Sequence, residues 1–268
     1  MHTAVKNKRL DAALSVILPV AFGVLFLLLW QTQVLHSLLH VDTFVLPLPT
    51  RIVGILGENA AKVMDNVYST VIVAVAGLAL GSLFGYLIAV IATVFPVWGA
   101  GGLSVVAAFN AIPIVALAPV IMNWTKDISK EASVRSMVAK IIVVTLLCMA
   151  TMSLNAFRGL NELKPFSEDL MHSYAADQFT IFRKLRLPNS VPYIFNALRV
   201  SVPLSVISAL VSEYFAEYIT GVGRAIRENI VLAQYSTAWA YILVACLIGV
   251  ILYAILSLAE STLLRHRR

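Results

Sequence analysis

Six apolar runs constrain this 268-residue chain more than any other feature, falling at about 13–30, 68–95, 103–123, 137–157, 198–219 and 238–262. A hydrocarbon core of about 30 Å is crossed by about 20 apolar residues in helical form, and each run is near that length. Hydrophobic residues make up 60% of the chain and charged ones 13%. A soluble domain has no way to hide that much apolar surface, whereas a bundle facing lipid has no need to. The expected fold is therefore an all-α polytopic membrane protein, a bundle of about six transmembrane helices. The first run follows Lys6, Lys8 and Arg9 and superficially resembles a signal peptide. It carries no charge from 13 to 30 and no small-x-small cleavage site follows, so a first transmembrane helix is the better reading.

An even number of spans puts both ends on one side. Lys6, Lys8, Arg9, Arg158, Lys164, Arg183, Lys184, Arg186, Arg265, Arg267 and Arg268 then share the cytoplasm. Arg51, Lys62, Lys126, Lys130, Arg135, Arg224 and Arg227 stay outside, with Asp127 and Glu131 offsetting part of that charge. This predicts a cytoplasmic tail over 1–12, one transmembrane domain over 13–262 and a basic cytoplasmic tail over 263–268. Within the domain, 31–66 is an outer loop and 158–197 a cytoplasmic one. The net charge of +6 sits at segment ends. It suits anionic lipid headgroups and an acidic or polar partner surface; no aromatic-basic motif points to nucleic acid.

The spans carry their own patterns. Gly77, Gly81 and Gly85 form a small-xxx-small row, which serves close helix packing either within the chain or between subunits. Asn110, Pro113 and Pro119 predict a kinked, polar-bearing third span of the kind that lines a path or an interface. Ser201, Ser205, Ser208 and Ser212 make one stripe, either interhelical glue or path lining. Glu213 and Glu217 extend the stripe toward the outer helix end, where Arg224 or Arg227 would pair with them. Beyond these, the spans have almost no ionisable residue, which argues against a proton relay. In the outer loop, Pro47, Pro49 and Thr50 read as an extended entry to a helix capped by Thr50. Cys148 and Cys246 read as reduced packing residues, and His36, His40 and His172 as solvated. There is no phosphate-binding GxxxxGK[ST] loop, metal motif or nucleophile elbow, so no catalytic residue and no bound cofactor or metal is expected.

One polar island remains, Ser167 to Arg199. Ser167 reads as an N-cap with Glu168 and Asp169 in the first turn, and a second basic piece, Phe179–Leu187, is expected to end at Pro188. An amphipathic basic loop of this kind is either an interfacial anchor or a docking surface. The island resembles the "EAA" loop of binding-protein-dependent ABC importer permeases: an acidic residue, two alanines, a glycine a few residues on, then Leu-Pro. Counting back from Leu187-Pro188, Asp169 takes the acidic position and Ala175 the glycine position, while Leu170 and Met171 replace the alanines. The pattern Ser173-Tyr174…Phe182-Arg183-Lys184…Leu187-Pro188 is similar to the branch importing nitrate, sulfonates, taurine and pyrimidine precursors of thiamine. So are the Leu-Pro-x-Pro entry at Pro47, the segment IPIVALAP at 112–119, and Gly221-Val-Gly223.

The resemblance implies the type I importer fold and a permease subunit in a bacterial inner membrane. Two copies would form the pathway, with a binding protein, periplasmic or lipid-anchored, delivering solute outside. ATP and Mg would be bound by two copies of a cytoplasmic ATPase, docked against Asp169, Leu170, Ser173, Tyr174, Ala175, Phe182, Arg183, Lys184, Leu187 and Pro188. Asn110, Pro113, Ser205, Ser208, Ser212 and Glu213 are the candidates for the path. The rival readings are a stand-alone channel or secondary carrier, and a structural membrane subunit without a path.

Overall fold

In the computed structural model, residues 8–215 and 220–263 are described, and all their regular elements are helical. They are α1 (Lys8–Gln31), α2 (Val34–Leu39), α3 (Pro49–Glu58), α4 (Ala60–Val94), α5 (Pro96–Ala108), α6 (Ile114–Trp124), α7 (Ala132–Asn161), α8 (Ser167–Ser173), α9 (Gln178–Ile181), α10 (Leu187–Phe215), α11 (Val222–Val231) and α12 (Tyr235–Leu263). Lys6, Glu217, Arg265, Arg267 and Arg268 lie outside the described residues.

Among the described residues, four helical stretches are long and apolar enough to cross a membrane: α4, α7, 178–215 and α12. The third expected span is not one rod. It is broken after a 3₁₀ turn at Phe109–Ala111, and its halves diverge by 103°. Pro113 sits at the break in an extended conformation and caps α6, because a proline has no N–H to donate to the helical pairing that would carry α5 onward. Counted as one span, the pair makes five. In α1 the described apolar stretch is Ile17–Gln31. Its Leu and Val side chains are exposed, and the helix is tied to the rest at its end, where Trp30 packs edge-on against Trp239 at 5.7 Å.

The centre is the seam between α4 and α7, and the glycine row makes it. A Cβ on Gly81 would lie 2.6 Å from the Thr145 carbonyl, and one on Gly85 would lie 2.5 Å from the Met149 carbonyl. Gly77 meets Val144 in the same way. The row therefore packs within the chain, where dispersion between close backbones supplies the attraction that water cannot supply in lipid. Over this seam α10 lays Ser201, Ser205, Ser208 and Ser212, all fully buried. The last three donate to carbonyls of their own helix, Val202, Leu204 and Ser208. Small hydroxyls that satisfy themselves let α10 lie close to its neighbours, and two core clusters form. One gathers Val73, Val144, Val206, Val222 and Tyr241; the other gathers Ala89, Met152, Leu160 and Ala197.

Several local expectations are corrected. The cap of α3 is Leu48, with Pro49 as the first helical residue, and Thr50 instead exchanges hydrogen bonds with Gln31. Proline brings no N–H and a preset φ, so it begins the helix one residue before the hydroxyl that was expected to cap it. His36 is 5% exposed, not solvated, and its Nε2 lies 2.6 Å from the Leu46 carbonyl.

Candidate functional site

The polar loop between α7 and α10 is a braced structure. Phe166, in the left-handed region at φ 61°, turns the chain into α8, so Ser167 is the first helical residue and not the cap. Its hydroxyl donates back to the Lys164 carbonyl at 2.6 Å. Glu168 and Asp169 do occupy the first turn, where carboxylates meet the positive end of the helix dipole.

The C-terminus of α8 is closed by two reversed hydrogen bonds. The Ala176 N–H reaches the Met171 carbonyl at 3.1 Å, and the Ala175 N–H reaches the His172 carbonyl at 2.9 Å. That is a Schellman closure, which puts Ala175 in the left-handed region at φ 55°. An L-residue with a Cβ costs about 1 kcal/mol there relative to glycine. Ala175→Gly is accordingly expected to slow amide exchange in α8 by about five-fold, read by deuterium exchange with mass spectrometry. Unchanged exchange would mean that the left-handed turn is not what limits α8.

Asp177 caps α9 by accepting the Thr180 N–H at 3.3 Å. The Thr180 side chain, and then its backbone N–H, hold the Asp177 carboxyl below its usual value. The helix does not stop at Pro188. It widens into a π turn over Phe182–Arg186, where the Leu187 N–H bonds to the Phe182 carbonyl five residues back. An α turn would drive the proline ring into the carbonyl four residues earlier; the wider turn makes room for it. One continuous helical stretch thus runs from 178 to 215.

Arg186 fastens this assembly. Its Nη1 donates to the Leu160 carbonyl at 3.1 Å and to Asn161 Oδ1 at 3.0 Å, while its Nη2 reaches both Glu168 oxygens at 2.9 and 3.1 Å. Asn189 donates to the Gly159 and Glu162 carbonyls, and the Tyr193 hydroxyl donates to Glu162. These partners are 18 to 31 residues apart, a separation that leaves no periodic trace in sequence. Only the charge signs of Glu168 and Arg186 could have hinted at the pair.

The bracing leaves one face free. Phe166, Leu170, Tyr174 and Phe179 are 82%, 59%, 79% and 68% exposed. Asp169, Ser173, Ala175, Arg183 and Lys184 are exposed as well. Phe182 and Leu187 turn inward and pack on the Met152–Leu160 cluster, and Pro188 is half-buried. Beside the face lies a cleft lined by Thr93, Pro96, Gln178, Phe179, Phe182 and Arg186.

The path candidates do not form one surface. Asn110 and Pro113 are exposed at the broken span, whereas the serines and Glu213 are buried. Glu213 is not interfacial and is not paired with Arg224 or Arg227. Its carboxylate accepts the Thr70 hydroxyl at 2.9 Å and the Gly223 N–H at 2.9 Å. Thr70 accepts the Val222 N–H, Asn66 accepts the Gly221 N–H and donates to the Tyr241 hydroxyl. Gly221, at φ 119°, has no room for a Cβ against that carboxylate. Arg227 lies 5.6 Å from the ring of Tyr214. Nor are the spans free of other ionisable groups: Lys140 on α7 is 2% exposed. Among the described residues, no three His, Cys, Asp or Glu side chains gather as metal ligands.

The family described as "Binding-protein-dependent transport system inner membrane component" matches residues 77–265. The formylaminopyrimidine transport permease protein ThiX of Halalkalibacterium halodurans is 24% identical over 259 residues, 93% of this chain and 96% of that protein. The nitrate import permease protein NrtB of Leptolyngbya laminosa is 22% identical over 208 residues, 78% of this chain and 68% of that one. Among solved structures, an amino acid ABC transporter matches with a TM-score of 0.61 at 15% identity, over 77% of this chain and 96% of the other. The MetNI methionine ABC transporter matches with a TM-score of 0.56 at 17% identity, over 80% and 97%. These two likenesses show a shared fold.

Proposed function

The chain belongs to the family of binding-protein-dependent transport system inner membrane components, and on that premise we propose that its polar loop docks a cytoplasmic ATPase whose closure drives import of a small polar solute. The observation that carries this reading is a braced loop that leaves Phe166, Leu170, Tyr174 and Phe179 exposed. Exposed aromatic side chains on a rigid support suit burial in a partner's cleft. Asp169, Ser173 and Ala175 lie between them, with Arg183 and Lys184 as flanking charge. Two copies of the chain form the pathway in an inner membrane with both termini cytoplasmic, each copy docking one ATPase that binds ATP and Mg. A binding protein supplies solute from the opposite face. ATP-driven approach of the two loops rocks the spans and switches access between faces.

The solute class leans on the relatives' names, formylaminopyrimidine for one and nitrate for the other, and on the sequence resemblance, which points to a pyrimidine precursor of thiamine first and to nitrate, sulfonates or taurine next. Ala175→Arg tests the docking. A long cation on the exposed turn is expected to lower uptake by ten-fold or more while insertion and copy number stay normal. Normal uptake at normal expression would overturn the proposal.

A further inference from the structure

The helix that leaves the polar loop is tied to the last helix, α12, at the place where packing gives out. The buried residues of α12 are Ala238, Ala240, Tyr241, Val244 and Ile248, all in its first half. Leu252 is the last that packs against the main core. Tyr253, Ile255, Leu258 and Leu263 are exposed, and no described residue of α12 past Ile248 is buried. Gly249 makes no close approach either, since nothing lies within 4 Å of a Cβ built there. Apolar side chains gain little by leaving lipid for one another, so close small-residue contacts or polar bonds must hold such a segment in place.

A polar bond is present there. Arg199 of α10 donates from Nε to Glu260 Oε2 at 2.8 Å and from Nη2 to Oε1 at 2.9 Å, a parallel fork between residues 61 apart. Ser261 and Thr262 beside it donate to carbonyls of their own helix. Among the described residues, no other side chain of α12 past Ile248 bonds to a different helix. A guanidinium gripping both carboxylate oxygens fixes the angle between its carriers as well as their separation. Arg199 stands about 20 Å along the helix from Arg186, on the unbroken stretch 178–215 that begins in the polar loop.

We propose that Arg199 is a positioning residue whose fork onto Glu260 makes the second half of α12 move as one body with the helix that leaves the polar loop. Core packing carries the first half of α12, and the ion pair carries the second. A displacement of the loop then reaches α12 through α10 instead of being lost in a free helix end. The proposal concerns the chain's own mechanics and is tested without a partner, so it stands or falls apart from the ATPase reading.

The test uses the full-length chain in lipid bilayers, with spin labels on K184C and L258C in a C246S background. Lys184 and Leu258 are exposed, and Cys148 is fully buried and takes no label. Labelled copies are diluted with unlabelled ones, so that double electron–electron resonance reads distances within one chain. R199M and E260Q are each expected to widen the distance distribution by about two-fold or more, and R199K by less, because an ammonium cannot fork. The distribution from K184C to L247C, on the packed half of α12, should stay unchanged. The charge swap R199E/E260R should restore the narrow distribution. The neutral double variant R199M/E260M leaves no charge alone, so its melting temperature is expected within about 3 °C of the parent. Its distribution should nevertheless stay wide, which separates positioning from bulk stability. A narrow distribution in R199M or in the neutral double variant would assign the tie to packing and overturn the proposal. Equal widening at L247C, or a swap as wide as R199M, would overturn it as well.

Discussion

Gly81→Leu is expected to abolish the folded bundle. A Cβ there meets the Thr145 carbonyl oxygen at 2.6 Å, Cys148 Cβ at 2.7 Å and the Met149 nitrogen at 3.0 Å. Two of these atoms belong to the α7 backbone, which cannot swing aside as a side chain would. Admitting even one methyl therefore separates α4 from α7 along their length, and alanine alone is expected to cost about 2–3 kcal/mol. Leucine adds three more carbons to the same gap. The cost then approaches the whole stability of an ordinary domain, about 5–15 kcal/mol. Gly249 on α12 is the control, because no atom lies within 4 Å of a Cβ built there. Fluorescence-detected size exclusion should give a single peak for Gly249→Leu and aggregate or nothing for Gly81→Leu. Equal profiles would show that the seam tolerates separation and that the glycine row is incidental.

Arg186→Met should release the polar loop while leaving the bundle assembled. The guanidinium joins three pieces at once: the last turn of α7 through Leu160 and Asn161, the first turn of α8 through Glu168, and the helix that continues into α10. A charged donor bound to a carboxylate is stronger than a neutral hydrogen bond. The side chains of Arg186 and Glu168 are 18% and 36% exposed, so solvent screens part of that gain, and about 2 kcal/mol is a fair net figure. That corresponds to about 30-fold faster amide exchange across 167–173. Methionine keeps the apolar stem packed, so the melting temperature of the bundle should move by only a few degrees. Uptake should fall at least ten-fold, because a loop that no longer holds its face fixed cannot transmit the ATPase's motion. Arg186→Lys should recover part of both losses, since an ammonium reaches one partner but not all three. Unchanged exchange in 167–173 would remove the brace, and fast exchange with normal uptake would remove its role in coupling.

Much of this protein was legible in the order of its residues. Runs of apolar side chains near the length of a membrane crossing identify α4, α7, α10 and α12, because that constraint is set by bilayer thickness and acts on each segment alone. A small residue every fourth position in α4 announces a close helix contact for the same local reason. The pattern from Asp169 to Pro188 singles out the polar loop, and the glycine-like position at Ala175 is one where the backbone does turn left-handed.

Tertiary structure decided the rest, wherever the partner of a group lies far along the chain. Pro188 reads as a helix end, yet a π turn carries the helix through it. The glycine row could have joined subunits, yet its grooves receive Val144, Cys148 and Met152 of the same chain. Glu213 reads as interfacial because its neighbours in sequence are the end of a span. It is buried because Thr70, 143 residues away, and the turn at Gly223 supply its hydrogen bonds. Lys140 passes unnoticed in an apolar run for the same reason. Local sequence determines whether a segment is a helix and whether it enters the membrane; which charged and polar groups that helix buries is settled only when distant segments pack against it.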